Sequence, residues 1–149
     1  MKTIKVRVVL LLVLMVGCQT TETSPIKMKQ AQKNVQEYIP SSADVVDKHG
    51  EINNIQRFIE FLDKVKLGQK DNIRVVKYTT EGDPMLQDLE YDGKVIKSTT
   101  DTRRDQFGVG SINTTTCASI EVIETSERTD YILEGCETII DNTILVTWK

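Results

Sequence analysis

One segment carries apolar residues at helical spacing, and after it they recur at strand spacing. That change constrains the fold more than any other feature. Ile52, Ile55, Ile59 and Leu62 follow one another at steps of three and four, with Phe58 and Val65 on the same stripe. This is the period of an amphipathic helix that buries one face. Asn53, with Gln56 three residues later, forms a variant of the capping box, and Gly68 is a natural stop. The pattern predicts one helix of about 14 residues, preceded by a short helical turn around Asp44 to Asp47 that Gly50 breaks.

Beyond Gly68 the chain reads as strands. Residues 73–80 (IRVVKYTT) are β-branched and roughly alternating, and 81–84 (EGDP) have turn chemistry. Residues 85–91 (MLQDLEY) and 94–100 (KVIKSTT) flank Asp92-Gly93, a strong hairpin signal. A two-residue turn there sets Tyr91 opposite Lys94, Leu89 opposite Ile96 and Asp88 opposite Lys97. Residues 101–113 (DTRRDQFGVGSIN) read as a long irregular loop, and 143–148 (TILVTW) as a last strand. Between them, 116–124 and 129–136 form a hairpin with Ile120 opposite Leu133 and Val122 opposite Tyr131. The fold class is therefore α+β: one main amphipathic helix packed on an antiparallel sheet of five or six strands. Strands in succession, joined by short turns, do not build βαβ units, which disfavours a doubly wound nucleotide-binding fold.

The start of the chain carries a different signal. Lys2, Lys5 and Arg7 precede an apolar run from Val8 to Val16, nine residues. That is too short to span roughly 30 Å of hydrocarbon as a helix, and it reads as a secretory signal. The run ends in Leu14-Met15-Val16-Gly17-Cys18, which resembles a bacterial lipobox, with Met15 where Leu is usual. The resemblance implies removal of residues 1–17 and attachment of lipid at Cys18. Two or more acyl chains hold a protein at a membrane stably where one does not. Residues 18–40 then read as the lipidated Cys and a polar tether, and residues 41–149 as a single domain.

Two further cysteines, Cys117 and Cys136, fit the same compartment, because an even pair outside the cytosol reads as a disulfide. The hairpin register supports it. With Thr125 to Arg128 as the loop, Glu124 faces Thr129, and counting back sets Cys117 opposite Cys136. Directly opposed residues at a non-hydrogen-bonded position lie about 4.5 Å apart at Cα, within reach of a disulfide. A zinc site would want more ligands than two cysteines.

Charge narrows the partners. The chain has 19 Lys and Arg against 22 Asp and Glu, and three of the basic residues lie in the signal segment. The remainder is acidic by about six charges and has no basic cluster, which argues against nucleic acid as a partner.

Chemistry is sparse in this sequence. One histidine is present, and no G-x-S-x-G elbow, Walker loop or G-x-G-x-x-G occurs. No cofactor is implied. The segment Asp47-Lys48-His49-Gly50-Glu51, with Asp44 upstream, brings carboxylates and an imidazole close in sequence, groups that a metal or small ligand uses. Yet an i, i+2, i+4 spacing does not converge on one helix face, so a solvated turn is the simpler reading and no metal site is assigned. Glu81 and Asp83 flank Gly82 and offer a pair of carboxylates for acid–base work, although a tight turn needs the same residue types. Arg103, Arg104 and Phe107 give the long loop the residue types of an interface.

Laid side by side, residues 44–54 (DVVDKHGEINN), 73–94 (IRVVKYTTEGDPMLQDLEYDGK) and the pair Cys117 and Cys136 with YILEGC resemble a domain-of-unknown-function family of small lipoproteins from Gram-positive spore-forming bacteria. The resemblance implies secretion, lipid attachment and a single small domain. It implies no activity and no catalytic residue. The expectation is a lipid-anchored binding or accessory module on the extracytoplasmic face of the cell membrane, its partner an envelope protein or ligand. A carboxylate-based wall hydrolase using Glu81 and Asp83, and a metal or small-ligand sensor using His49 and Glu51, are the alternatives.

Overall fold

The computed structural model describes residues 37–138 and 141–149, so the signal segment, Cys18 and most of the tether lie outside the described residues. Among the described residues the chain forms nine strands and one helix, and the fold class is α+β. The sheet is not a single antiparallel one. Six strands form a mixed sheet in the order β2-β1-β3-β4-β5-β6, and three form a second sheet in the order β7-β8-β9. The mixed sheet comprises β1 (Val45–Lys48), β2 (Glu51–Asn53), β3 (Asp71–Tyr78), β4 (Pro84–Tyr91), β5 (Ile96–Asp101) and β6 (Ile112–Cys117). The second comprises β7 (Ser119–Glu124), β8 (Arg128–Glu134) and β9 (Thr143–Trp148).

The departure from an all-antiparallel sheet originates before the helix. Residues expected as a helical turn, Asp44 to Asp47, instead lead into β1, which pairs parallel with β3 and antiparallel with β2. His49 and Gly50 make the hairpin turn between β1 and β2, with φ of 57° and 94°. Positive φ at both central residues is the type I′ pattern, whose twist suits a two-residue hairpin. Val45 and Val46 are both buried, one on each face of the sheet. A β-branched pair buried on both sides favours an inner strand over a helical turn.

The helix α1 runs from Ile55 to Lys66, 12 residues. Asn53 is not its cap, since it closes β2. Asn54 takes the N-cap position in a left-handed conformation, and its side chain makes no capping bond. The Asn54 amide instead donates to the Ser42 and Asp44 carbonyls, at 3.1 and 3.2 Å. The stop at Gly68 is as expected: Gly68 N–H donates to Val65 O and Gln69 N–H to Lys64 O, with Gly68 at φ 66°. Those paired bonds form the Schellman arrangement that satisfies the last carbonyls of a helix. Phe58, Phe61 and Leu62 are the buried positions, whereas Ile59 is exposed, so the stripe is rotated toward Phe61.

The main core lies between the inner face of the mixed sheet, the helix and the three-stranded sheet. Val45, Ile73, Val75, Leu89, Ile96 and Cys117 supply the first layer, and Leu133, Ile144 and Leu145 reach it from β8 and β9. Phe58 meets Tyr131 edge-to-face, ring centroids 4.9 Å apart, so the helix touches both sheets. Each fully buried phenylalanine contributes about 3 kcal/mol of transfer free energy. The outer face carries a smaller cluster of Val46, Val76 and Leu86, with Tyr38 and Tyr78 packed against it.

Two registers deserve comparison with the sequence. The β7–β8 hairpin pairs Glu124 with Thr129, Val122 with Tyr131 and Ile120 with Leu133, as expected. However, the strand expected over 116–124 is divided at Ala118, where the chain leaves one sheet for the other. The β4–β5 hairpin is shifted by two residues, pairing Tyr91 with Ile96, Leu89 with Ser98 and Asp88 with Thr99. The cause is Asp92: its carboxylate accepts the Lys94 and Val95 N–H groups at 2.8 and 2.9 Å. These bonds hold its carboxyl below the ordinary aspartate range and close a four-residue loop where a two-residue turn was expected. A shift of two leaves every side chain on its expected face, since the strand period is two. Lys97 therefore pairs with Glu90, at 3.1 Å, and not with Asp88, which meets Arg74 through the β3–β4 register.

Cys117 Sγ is bonded to Cys136 Sγ, 19 residues apart in sequence. Because Cys117 ends β6 and Cys136 follows β8, the bond ties the two sheets together. The chain closes up around it: Ala118 N–H donates to Glu134 O and Glu137 N–H to Thr116 O. Gly135, at φ 64°, lies so close that a Cβ there would sit 2.9 Å from the Ala118 Cβ.

Candidate functional site

The strand order and registers gather three connections at one end of the mixed sheet. They are the His49-Gly50 turn, the turn after Tyr78 and the loop from Thr102 to Ser111 between β5 and β6. His49, Glu51, Glu81, Asp83, Arg103, Arg104 and Phe107 therefore lie at or beside this end. They are not drawn into one site. His49 and Glu51 are exposed on the β1–β2 hairpin, where the Asp47 carboxylate accepts the Gly50 N–H at 2.8 Å. Among the described residues no three His, Cys, Asp or Glu side chains come together as a metal-holding group. Asp44 lies at the other end of β1, buried, accepting bonds from Tyr38 Oη and the Ser41 N–H.

Glu81 and Asp83 fall in different environments. Glu81 is exposed and Asp83 is buried. The Asp83 carboxylate receives the Gln106 backbone N–H at 2.8 Å and the Gln106 side-chain amide at 3.1 Å. Within its own turn, Asp83 N–H donates to Thr79 Oγ1 and Thr79 N–H to Asp83 O. Asp83 thus clasps the β5–β6 loop to the β3–β4 turn. A buried carboxylate with two donors has its hydrogen-bonding capacity met within the protein.

The loop it clasps is built throughout. Asp101 pairs with both Arg103 and Arg104, at 2.9 and 3.0 Å, and the Arg103 guanidinium above all holds its carboxyl well below the ordinary range. Asp105 accepts the Phe107 and Gly108 N–H groups, and a side chain at Gly108 would collide with that carboxylate. Thr102 and Ser111 bond across the base of the loop. On this frame Phe107 is 75% exposed and Val109 96% exposed, with Ile112 half exposed at the start of β6.

Beside the loop lies a feature that sequence reasoning placed in the tether. Tyr38 packs on the outer face of the mixed sheet, with the Arg74 and Arg104 guanidinium carbons 5.5 and 5.6 Å from its ring centroid. Its hydroxyl donates to Asp44 and accepts from Arg74. Burial, followed by the Asp44 carboxylate, raises its pKa above the ordinary tyrosine value. The available signal was that Tyr38 is the one aromatic residue between Cys18 and the domain. Arg74 is held in turn by a bidentate pair with Asp88, at 2.6 and 2.7 Å.

An open groove of about 510 Å³ runs beside this pair, lined by Asp44, Arg57, Asp71, Arg74 and Asp88 among others. Its charges are mostly matched within the protein: Arg57 pairs with Asp71 at 2.9 Å. Arg57 Nη1 is buried with no hydrogen-bond partner among the described residues. Across the sheet, Lys77 donates to the Thr143 carbonyl, and burial lowers its pKa while Asp141 and Asp47 oppose that shift. Among the described residues no helix is long and apolar enough to cross a membrane.

Residues 42–132 match the domain of unknown function DUF4362, and the chain belongs to that family. No curated protein and no solved structure matches it.

Proposed function

We propose that this member of the family is a lipid-anchored lipoprotein on the extracytoplasmic face of the cell membrane of a Gram-positive, spore-forming bacterium, acting there as a binding or accessory module. The signal-like run and the lipobox-like segment ending at Cys18 supply the route and the anchor. The observation that carries the reading is the Cys117–Cys136 disulfide between the two sheets. A bond of that kind persists in oxidising compartments and is rare in the cytosol.

The accessory role is favoured over a wall hydrolase by the state of the carboxylates. A glycoside hydrolase works with two carboxyl groups facing one bond, whereas Asp83 is committed to Gln106 and Glu81 faces solvent. What the domain offers in place of a catalytic centre is a rigid loop with apolar side chains outward.

In-cell crosslinking of the lipidated protein, with Cys18→Ala as control, tests the role. The reading expects one envelope component captured in near-stoichiometric amount from the anchored form alone. Capture of nothing from either form, together with turnover of wall fragments that Glu81→Gln abolishes, would replace it with the hydrolase.

A further inference from the structure

We propose that the loop from Thr102 to Ser111 docks the domain onto the lipid surface that holds its own anchor, with Phe107 and Val109 entering the boundary between headgroups and acyl chains. The inference deepens the lipid-anchor reading and rests on it.

The exposure of Phe107 and Val109 is not the by-product of a slack loop. Asp83, Asp101 and Asp105 each fix a different part of the backbone around them, so the two side chains are presented by a prepared frame. Preorganisation of this kind lowers the ordering cost of a contact. Apolar residues held outward by a frame of carboxylates, Asp83 among them buried, mark an interaction surface more strongly than isolated exposed ones do.

The occupant follows from where the tether arrives. Tyr38 lies 20 residues after Cys18, and its ring contacts Arg104, three residues before Phe107. A chain of that length reaches at most about 70 Å even when fully extended. A folded domain of this size has a radius of gyration of about 13 Å, so the anchor holds it within a few diameters of the bilayer. The chain from the anchor enters the domain at Tyr38, whose ring touches the base of the loop through Arg104, so the apolar tip belongs to a loop in contact with the segment that leads to the lipid. Charge gives the contact its character. Asp101 neutralises Arg103 and Arg104 in part, so insertion is driven by apolar transfer and not by attraction to anionic headgroups.

The test uses the lipidated mature chain, from Cys18 to Lys149, in vesicles of phosphatidylethanolamine and phosphatidylglycerol. Phe107→Cys gives the one free thiol, because Cys18 is a thioether and Cys117 and Cys136 are bonded to each other. An environment-sensitive fluorophore on that thiol reads depth, and Lys70→Cys, exposed before β3 at the other end of the sheet, is the control. The proposal expects a blue shift at position 107 and loss of its emission to nitroxide-bearing lipids, with neither at position 70, and no dependence on phosphatidylglycerol content. Emission at 107 as water-like as at 70 overturns it. A blue shift without quenching by lipid also overturns it, in favour of a protein surface. The mass of the N-terminal peptide is read on the same sample. Lipid on Cys18 with a water-exposed loop sinks the docking alone, whereas an unmodified Cys18 sinks the anchor and the docking with it.

Discussion

Asp83 and Gln106, 23 residues apart, are joined twice: the buried carboxylate takes both the backbone and the side-chain N–H of the glutamine. The first bond requires the loop backbone itself, so the pairing sets where the β5–β6 loop stands. Removing the carboxylate with Asp83→Ala leaves the Gln106 N–H without its acceptor. The expected loss is about 1–3 kcal/mol, seen as a lower melting temperature and faster amide exchange at Gln106. Glu81→Gln, at an exposed position, is expected to change stability by no more than about 0.5 kcal/mol.

Reduction of the Cys117–Cys136 bond frees the two sheets from their covalent tie. For a loop of 19 residues the chain-entropy relation gives about 3 kcal/mol. Denaturant titration with and without reductant, or of the double variant Cys117→Ala/Cys136→Ala, should show a lower midpoint by that amount. An unchanged midpoint would mean that the sheets are held by the apolar core alone.

Gly135 is predicted to tolerate no side chain. Gly135→Ala brings a Cβ within 2.9 Å of the Ala118 Cβ and places alanine at φ 64°. Strain at a left-handed non-glycine position costs about 1–3 kcal/mol, and the contact adds to it. Gly82, where nothing lies within 4 Å of an added Cβ, is the comparison, since Gly82→Ala bears the conformational term alone.

The pH dependence has the same sign on the two limbs, stability rising with pH on each, because both groups bind their proton less tightly in the folded chain. The Asp101 carboxyl is depressed by Arg103 and Arg104, so its contribution is full above the ordinary aspartate range, near about 4, and is lost as pH falls through its folded value. Asp101→Asn should flatten the acid limb of the stability curve. Lys77 is depressed by burial: the unfolded chain binds the proton more tightly than the folded one. Stability therefore rises as pH climbs from the folded pKa toward about 10.4. In Lys77→Met that alkaline gain should vanish, measured by thermal melts across the range.

The sequence made the helix, its glycine stop and the β7–β8 register legible, because each rests on local chemistry: a 3.6-residue stripe, a left-handed glycine, a loop of fixed length. Strand β1 was not legible. Val45 and Val46 make a run too short for either period to show, and the parallel partner β3 lies some 30 residues on. The two-residue slip at Asp92-Gly93 came from a side-chain bond that competes with the type I′ turn. At the site, His49 and the Glu81-Gly82-Asp83 turn stood out by composition, yet His49 serves as a turn residue and Asp83 as a clasp. Gln106 and Tyr38 passed unnoticed because their partners, 23 and 36 residues away, are set by the sheet and not by neighbouring sequence.

The central claim, attachment to the membrane through Cys18, is tested most directly by the mass of the mature N-terminus from a membrane fraction of the producing cells. The account predicts a chain that begins at Cys18 and carries the mass of a diacylglyceryl group on that residue. A chain that retains residues 1–17, or that begins elsewhere with an unmodified Cys18, would contradict it.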